Sequence, residues 1–149
     1  MSKSNTWQSD LLKLTFQNVA TALIGDSNGL QPSVTAGSLY VSLHHGDPGA
    51  AGNQTTNETA YTNYGRIGVS RDTSNWLVSG SAPTQVANGS VVSFAACGVT
   101  GDTLTYFGVG ASSGGAGKLL YSGTLTASLV VSAGITPQFT VGNIVITED

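Results

Sequence analysis

Apolar side chains fall into two different rhythms along this chain. In Thr6–Ile24 the residues Leu12, Phe16, Val19, Ala20 and Leu23 recur at helical spacing and form one stripe, which predicts an amphipathic helix. Asn5 followed three residues later by Gln8 reads as a capping box, Asp10 suits the positive first turn, and Gly25 offers a left-handed exit. The stripe is expected to cover the end of a β core or to dock on another subunit. The polar residues 1–5 ahead of it read as an arm reaching towards a neighbour. Beyond residue 30 the period shortens to two. Ser38–His44 alternates, with Leu39, Val41 and Leu43 on one face and Tyr40, Ser42 and His44 on the other. Further strands are expected at Tyr64–Arg71, Asn75–Ser79, Ser90–Ala96, Thr103–Val109, Lys118–Leu125, Ala127–Ser132 and Gln138–Thr147. Gly-rich turns separate them and no second helix appears. The expected fold is mainly β: a jelly-roll-like antiparallel β-sandwich with one N-terminal α-helix. Residues 1–149 read as a single domain, with arm and helix over 1–25 and strands over 38–149. His45–Asn63, polar and rich in small residues, reads as a long loop that is functional or ordered by a partner.

Composition changes this picture in one respect. Of 149 residues 40% are hydrophobic, enough for a core, yet only 9% are charged, against about 25% in an ordinary domain. Isolated soluble domains keep apart by mixed surface charge. A surface solvated by Ser, Thr, Asn and Gln suits packing against other protein. The net charge is −3, and the bases Lys3, Lys13, Arg66, Arg71 and Lys118 are scattered. A nucleic-acid partner would require a clustered positive face. No apolar run reaches the roughly 18 residues of a membrane span, and no signal peptide is visible, so synthesis in the cytoplasm is expected. Asn53, Asn57 and Asn88 open glycosylation sequons that have no meaning without secretion. The lone Cys97 cannot form an internal disulfide and reads as a small buried thiol.

His44-His45-Gly46-Asp47-Pro48-Gly49 offers two imidazoles and a carboxylate to a metal, but adjacent strand residues point to opposite faces and no third histidine completes a set. Asp-Pro-Gly is a turn sequence. The stretch Gly108–Lys118 has Ser112 and Leu119 where a phosphate loop requires Gly and Ser or Thr, and Ser113 where a dinucleotide fingerprint requires its third Gly. It reads as a hairpin connection. No serine lies in a nucleophile elbow. The few acids, Asp47 and Glu58 among them, are too dispersed for a paired-carboxylate glycosidase. No catalytic, cofactor-binding or metal-binding residue is assigned, and the chain is expected not to be an enzyme.

The run Leu39-Tyr-Val-Ser-Leu-His-His-Gly-Asp-Pro-Gly49 resembles a family of small phage and prophage virion proteins that carry Leu-Tyr-Val-x-Leu-His-x-x-Asp-Pro-Gly. Asn57-Glu58, Tyr61, Tyr64-Gly-Arg66-Ile-Gly-Val69, Tyr106-Phe-Gly-Val-Gly110, Leu120–Leu125 and Ile135–Phe139 extend the likeness over nearly the whole chain. His45 stands where relatives often have Thr. Such proteins are often labelled tail-fibre proteins, and β-sandwich proteins of this size also serve as capsid cement. The resemblance implies a non-enzymatic virion structural protein, with capsid decoration as the first expectation. A tail or tail-fibre component, or a host-surface binding module, is the alternative. The implied partners are other virion proteins (the major capsid protein or tail proteins) and further copies of the chain.

Overall fold

A computed structural model of the chain describes residues 2–25, 28–81 and 84–148. Met1 and Asp149, the ends of the expected arm and domain, lie outside the described residues. The protein is mainly β, with antiparallel sheets and one N-terminal helix. Two compact units form: residues 1–38, 70–91 and 140–149 in one, residues 39–69 and 92–139 in the other.

In the first unit, helix α1 (Asn5–Leu12) packs on a three-stranded antiparallel sheet of β3 (Trp76–Ser79), β4 (Thr84–Asn88) and β9 (Val145–Glu148). The helix starts one residue earlier than its capping box implied. Ser4 is the cap, its hydroxyl accepting from the Trp7 amide, while Gln8 reaches back to the Lys3 carbonyl. Only the first part of the predicted helix forms. After Leu12 the backbone widens into a single π-helical stretch, Lys13–Gln17, and Asn18 turns left-handed at φ 57°. Asparagine tolerates that conformation better than most residues. Its side-chain amide also pairs with both backbone groups of Ser33. The orphaned carbonyls of Leu14 and Thr15 are taken by the Arg71 guanidinium, which also binds the Ala36 carbonyl. The stripe therefore divides: Leu12 and Phe16 are fully buried, whereas Val19 and Leu23 are exposed. Phe16 meets Trp76 edge-on at 4.8 Å, and Val86, Ile144 and Ile146 are buried in the same unit. The N-terminal arm has contacts within its own chain. Lys3 Nζ lies 2.8 Å from Glu148, and the Thr84 hydroxyl reaches the Asn5 carbonyl.

Strand β4 has no counterpart among the expected strands. Its inward residues are Thr84, Val86 and Asn88, of which one alone is apolar. Buried Asn88 is satisfied instead, donating to Ser90 and Thr140 carbonyls and accepting from the Ile144 amide. The expected strand Gln138–Thr147 is broken at its middle, where Gly142 takes φ 81°. Its ends become β8 (Gln138–Phe139) and β9.

The second unit holds a four-stranded sheet in the order β2 (Ile67–Ser70), β1 (Ser38–His44), β6 (Asp102–Gly110), β7 (Leu119–Val131), and a two-stranded pair of β5 (Val92–Ser93) with β8. The two strands expected over 118–132 are one long strand, β7. Its register against β6 shifts between Tyr106↔Thr124 and Leu104↔Leu129. Leu39, Val41, Leu43, Leu104, Val109 and Val131 are buried. An aromatic chain runs from Tyr61 through Tyr64, Phe94 and Phe139 to Phe107, with ring centroids 5.3 to 6.4 Å apart.

Candidate functional site

Ser42 and His44 lie on the face of β1 opposite Leu39, Val41 and Leu43, and both are fully buried as well. The cover is the long loop that follows them. In β6, Gly108 stands opposite Ser42 and Gly110 opposite Tyr40, so these glycines share that face. A Cβ on Gly108 would lie 2.7 Å from both His44 Nε2 and Ser42 Oγ, and one on Gly110 would lie 2.1 Å from Gln54 Cδ. Gln54, fully buried, is thus laid across the sheet in space that only glycine leaves open.

The sequence reads this loop as functional or ordered by a partner. It is tied down by its own unit. The His45 amide donates to the Asn57 carbonyl, Thr59 to Leu43, and Gln54 to Gly117. The Gln54 side chain pairs with both backbone groups of Ser112. Asp47 accepts from the Gly49 amide at 2.8 Å, closing the expected Asp-Pro-Gly turn, and Gly49 takes φ 68°. The Gly-rich run is, as expected, the connection between two paired strands: Ala111 donates to Lys118 across it.

At the centre is a charged lock. Arg66 grips Glu58 with Nε and Nη2, each 2.6 Å from a carboxylate oxygen. The same guanidinium donates to the carbonyls of Ser112 at 3.0 Å and Gly115 at 2.8 Å. The Tyr64 hydroxyl donates to Glu58 at 2.8 Å and accepts from the Leu43 amide at 3.1 Å. The Arg66 side chain is 3% exposed and that of Glu58 13%. Bidentate, nearly dry pairs of this kind are the strong class of ionic contact. The Glu58 bond holds the guanidinium's pKa above its ordinary value, and burial pushes the Tyr64 phenol upward. Loop, hairpin connection and strand β1 are fastened together by these three side chains. Sequence reasoning placed them in the family resemblance but gave them no joint role; their separations in the chain carry no sign of the meeting.

The two histidines diverge, as adjacency on a strand requires. His44 Nδ1 lies 2.9 Å from the Thr56 carbonyl, an acceptor only, so that nitrogen carries the proton. Nε2 is then bare and accepts the Ser42 hydroxyl at 2.8 Å. A hydroxyl on an imidazole is the nucleophile–base unit of many hydrolases. Here both side chains are sealed from solvent, and the imidazole is oriented by a carbonyl instead of a carboxylate. The arrangement ties strand β1 to the loop that covers it. His45 faces outward, with Nδ1 3.3 Å from Asp102 Oδ2, which also accepts from the Thr59 hydroxyl at 2.7 Å. Burial raises the Asp102 pKa, but the bonds from Thr59 and Thr103 and the proximity of His45 outweigh it and leave the carboxyl lowered. Cys97 is buried, its thiol directed at the Thr100 carbonyl.

Burial lowers the His44 pKa, only partly opposed by the Thr56 bond and Glu58. The unfolded chain therefore binds the proton more readily than the folded one. Stability contributed by neutral His44 is fully present above the ordinary value of 6.5 and declines as pH falls below it, by at most about 1.4 kcal/mol per pH unit. Melting temperature is expected to drop between pH 6.5 and 5 in the native chain and to stay flatter in His44→Gln. The lowered carboxyls Asp72 and Asp102 act only below their ordinary 3.8. Equal slopes for both proteins in that window would assign the loss to another group.

The chain belongs to the Podophage GP4 fiber I protein gp80 family, whose model matches residues 2–147. It is thereby a phage virion protein of the fibre type. No curated protein matches the chain.

Proposed function

We propose that this chain is a non-enzymatic component of the phage tail fibre, made in the bacterial cytoplasm and carried on the finished virion, where it contacts other tail proteins and further copies of itself. The observation that carries this reading is the family match over residues 2–147 to a fibre protein. It favours the tail over capsid decoration, the first expectation from sequence. The buried lock supports the same reading. Its charges cross-tie the loop, the hairpin connection and strand β1, which suits a part that must keep its shape under load. We take residues 1–149 as one sandwich-like domain. The chain passes between its two units four times, at 38/39, 69/70, 91/92 and 139/140.

Immunogold labelling or cryo-EM of intact virions tests the assignment. Label confined to the tail or its fibres is the expected result. Label spread over the capsid shell would return the protein to a decoration role.

A further inference from the structure

Among the described residues, strand β7 ends the four-stranded sheet and has a strand neighbour, β6, on one side only. At 13 residues it is the longest strand of the described residues, and Leu119–Val131 holds no charged residue and no proline. Natural proteins guard such edges with lysine, proline, short strands or cover. The N-terminal part is flanked: Asp47, Gly49, Ala50 and Gly52 line a shallow cleft with Leu119–Ser122. The open part is Thr124–Val130, which sequence reasoning divided between two strands. Thr124, Thr126, Ala127, Ser128, Leu129 and Val130 are all exposed, Val130 by 67%. The register shift leaves Leu125–Ser128 opposite a single β6 residue, Thr105, so several backbone groups there have no ladder partner on β6. Uncharged, free of Gly and Pro and β-branched at Thr124, Thr126 and Val130, this segment has the composition that pairs readily with another strand.

We propose that the outer edge of β7 over Thr124–Val130 is a self-association surface, on which the β7 of a second copy pairs antiparallel. Two features select a second copy as the occupant. Antiparallel pairing about a two-fold sets a strand against itself, which like charges would penalise and which an uncharged strand permits. Length selects it too. The other sheet edges, β2, β3 and β9, are four residues long, and β5 and β8 two. β7 is thus the one edge that can match β7. This surface deepens the structural reading above and rests on it for its biological use, but it can be measured without the virion.

The test is the molar mass of the full chain by light scattering on a sizing column, from 1 to 100 μM, with amide exchange read along β7. The native chain is expected to form dimers or larger species with slowed exchange at 124–130. Val130→Lys, on an exposed side chain, is expected to shift the population to monomer by tenfold or more in dissociation constant. Its melting temperature at 1 μM, where dissociation is favoured, checks that the variant is folded. Ala127→Pro, which removes an amide and cannot join a ladder, should act the same way. A native chain that stays monomeric at 100 μM overturns the proposal and makes the register shift itself the guard of the edge. Dimers untouched by both folded variants overturn it as well. Tail localisation with a monomeric chain would leave the fibre reading standing while this surface falls; capsid labelling with β7-dependent dimers would do the reverse.

Discussion

Replacing Arg66 by alanine is expected to cost about 3–5 kcal/mol, the usual penalty for stripping one partner from a buried ion pair. Total stabilities of about 5–15 kcal/mol make this a large fraction of the whole. Glu58 would keep its burial and lose both 2.6 Å bonds, with the Tyr64 hydroxyl its remaining side-chain donor. The carbonyls of Ser112 and Gly115 would lose their donor at the same time. Arg66→Lys should recover little, because an ammonium cannot present the fork that reaches a carboxylate and two carbonyls together. Adding Glu58→Gln to Arg66→Ala should recover part of the loss by removing the stranded charge. Urea denaturation of the native chain, Arg66→Ala, Glu58→Gln and the double variant gives the cycle. A loss under about 1 kcal/mol for Arg66→Ala would class the pair with ordinary surface bridges.

Where local chemistry decided the outcome, sequence reading and structure agree. Ser38–His44 is a strand at its predicted bounds because seven residues of clean alternation leave no competing period. The Asp47-Pro48-Gly49 turn forms because its geometry is contained in its own residues. Long-range contacts decided the rest. The helix stops at Gln17, not Ile24, because Arg71, more than fifty residues onward, takes its last carbonyls and Asn18 finds Ser33. Strand β4 was invisible because a buried asparagine replaces the apolar residue that alternation would need.

The lock was half legible. Its residues stand in the stretches that carry the family resemblance, yet alternation says of Ser42 and His44 only that they share the face opposite Leu39, Val41 and Leu43. Alternation reports that a strand has two different faces; it cannot say that a polar loop will return to cover one. A usable signal was present in Gly108 and Gly110, two glycines inside a strand. Glycine there weakens a strand and marks a close approach, and here the approaching groups are His44 and Gln54.

Phe16→Ala is expected to destabilise the chain by about 3–5 kcal/mol, while Leu23→Ala in the same sequence stripe should change stability by less than about 0.5 kcal/mol. By periodicity the two positions are equivalent. In the structure Phe16 is fully buried and meets Trp76 with centroids 4.8 Å apart and planes at 62°. The alanine would leave a cavity beneath the π-helical stretch and remove an edge-to-face pair worth about 0.5–1.5 kcal/mol beyond its area. Leu23 is 86% exposed and sits at φ 61°, a left-handed conformation that leucine adopts at a cost. Alanine there loses little burial and keeps the same strain, whereas Leu23→Gly relieves it and should stabilise slightly. Denaturant titration of the three variants checks the order, with the emission of buried Trp76 moving to longer wavelength as water reaches the Phe16 cavity. Similar losses for Phe16→Ala and Leu23→Ala would mean that the helical stripe runs on to Leu23 as its spacing suggests, and that the left-handed turn at Asn18 is not where the helix ends.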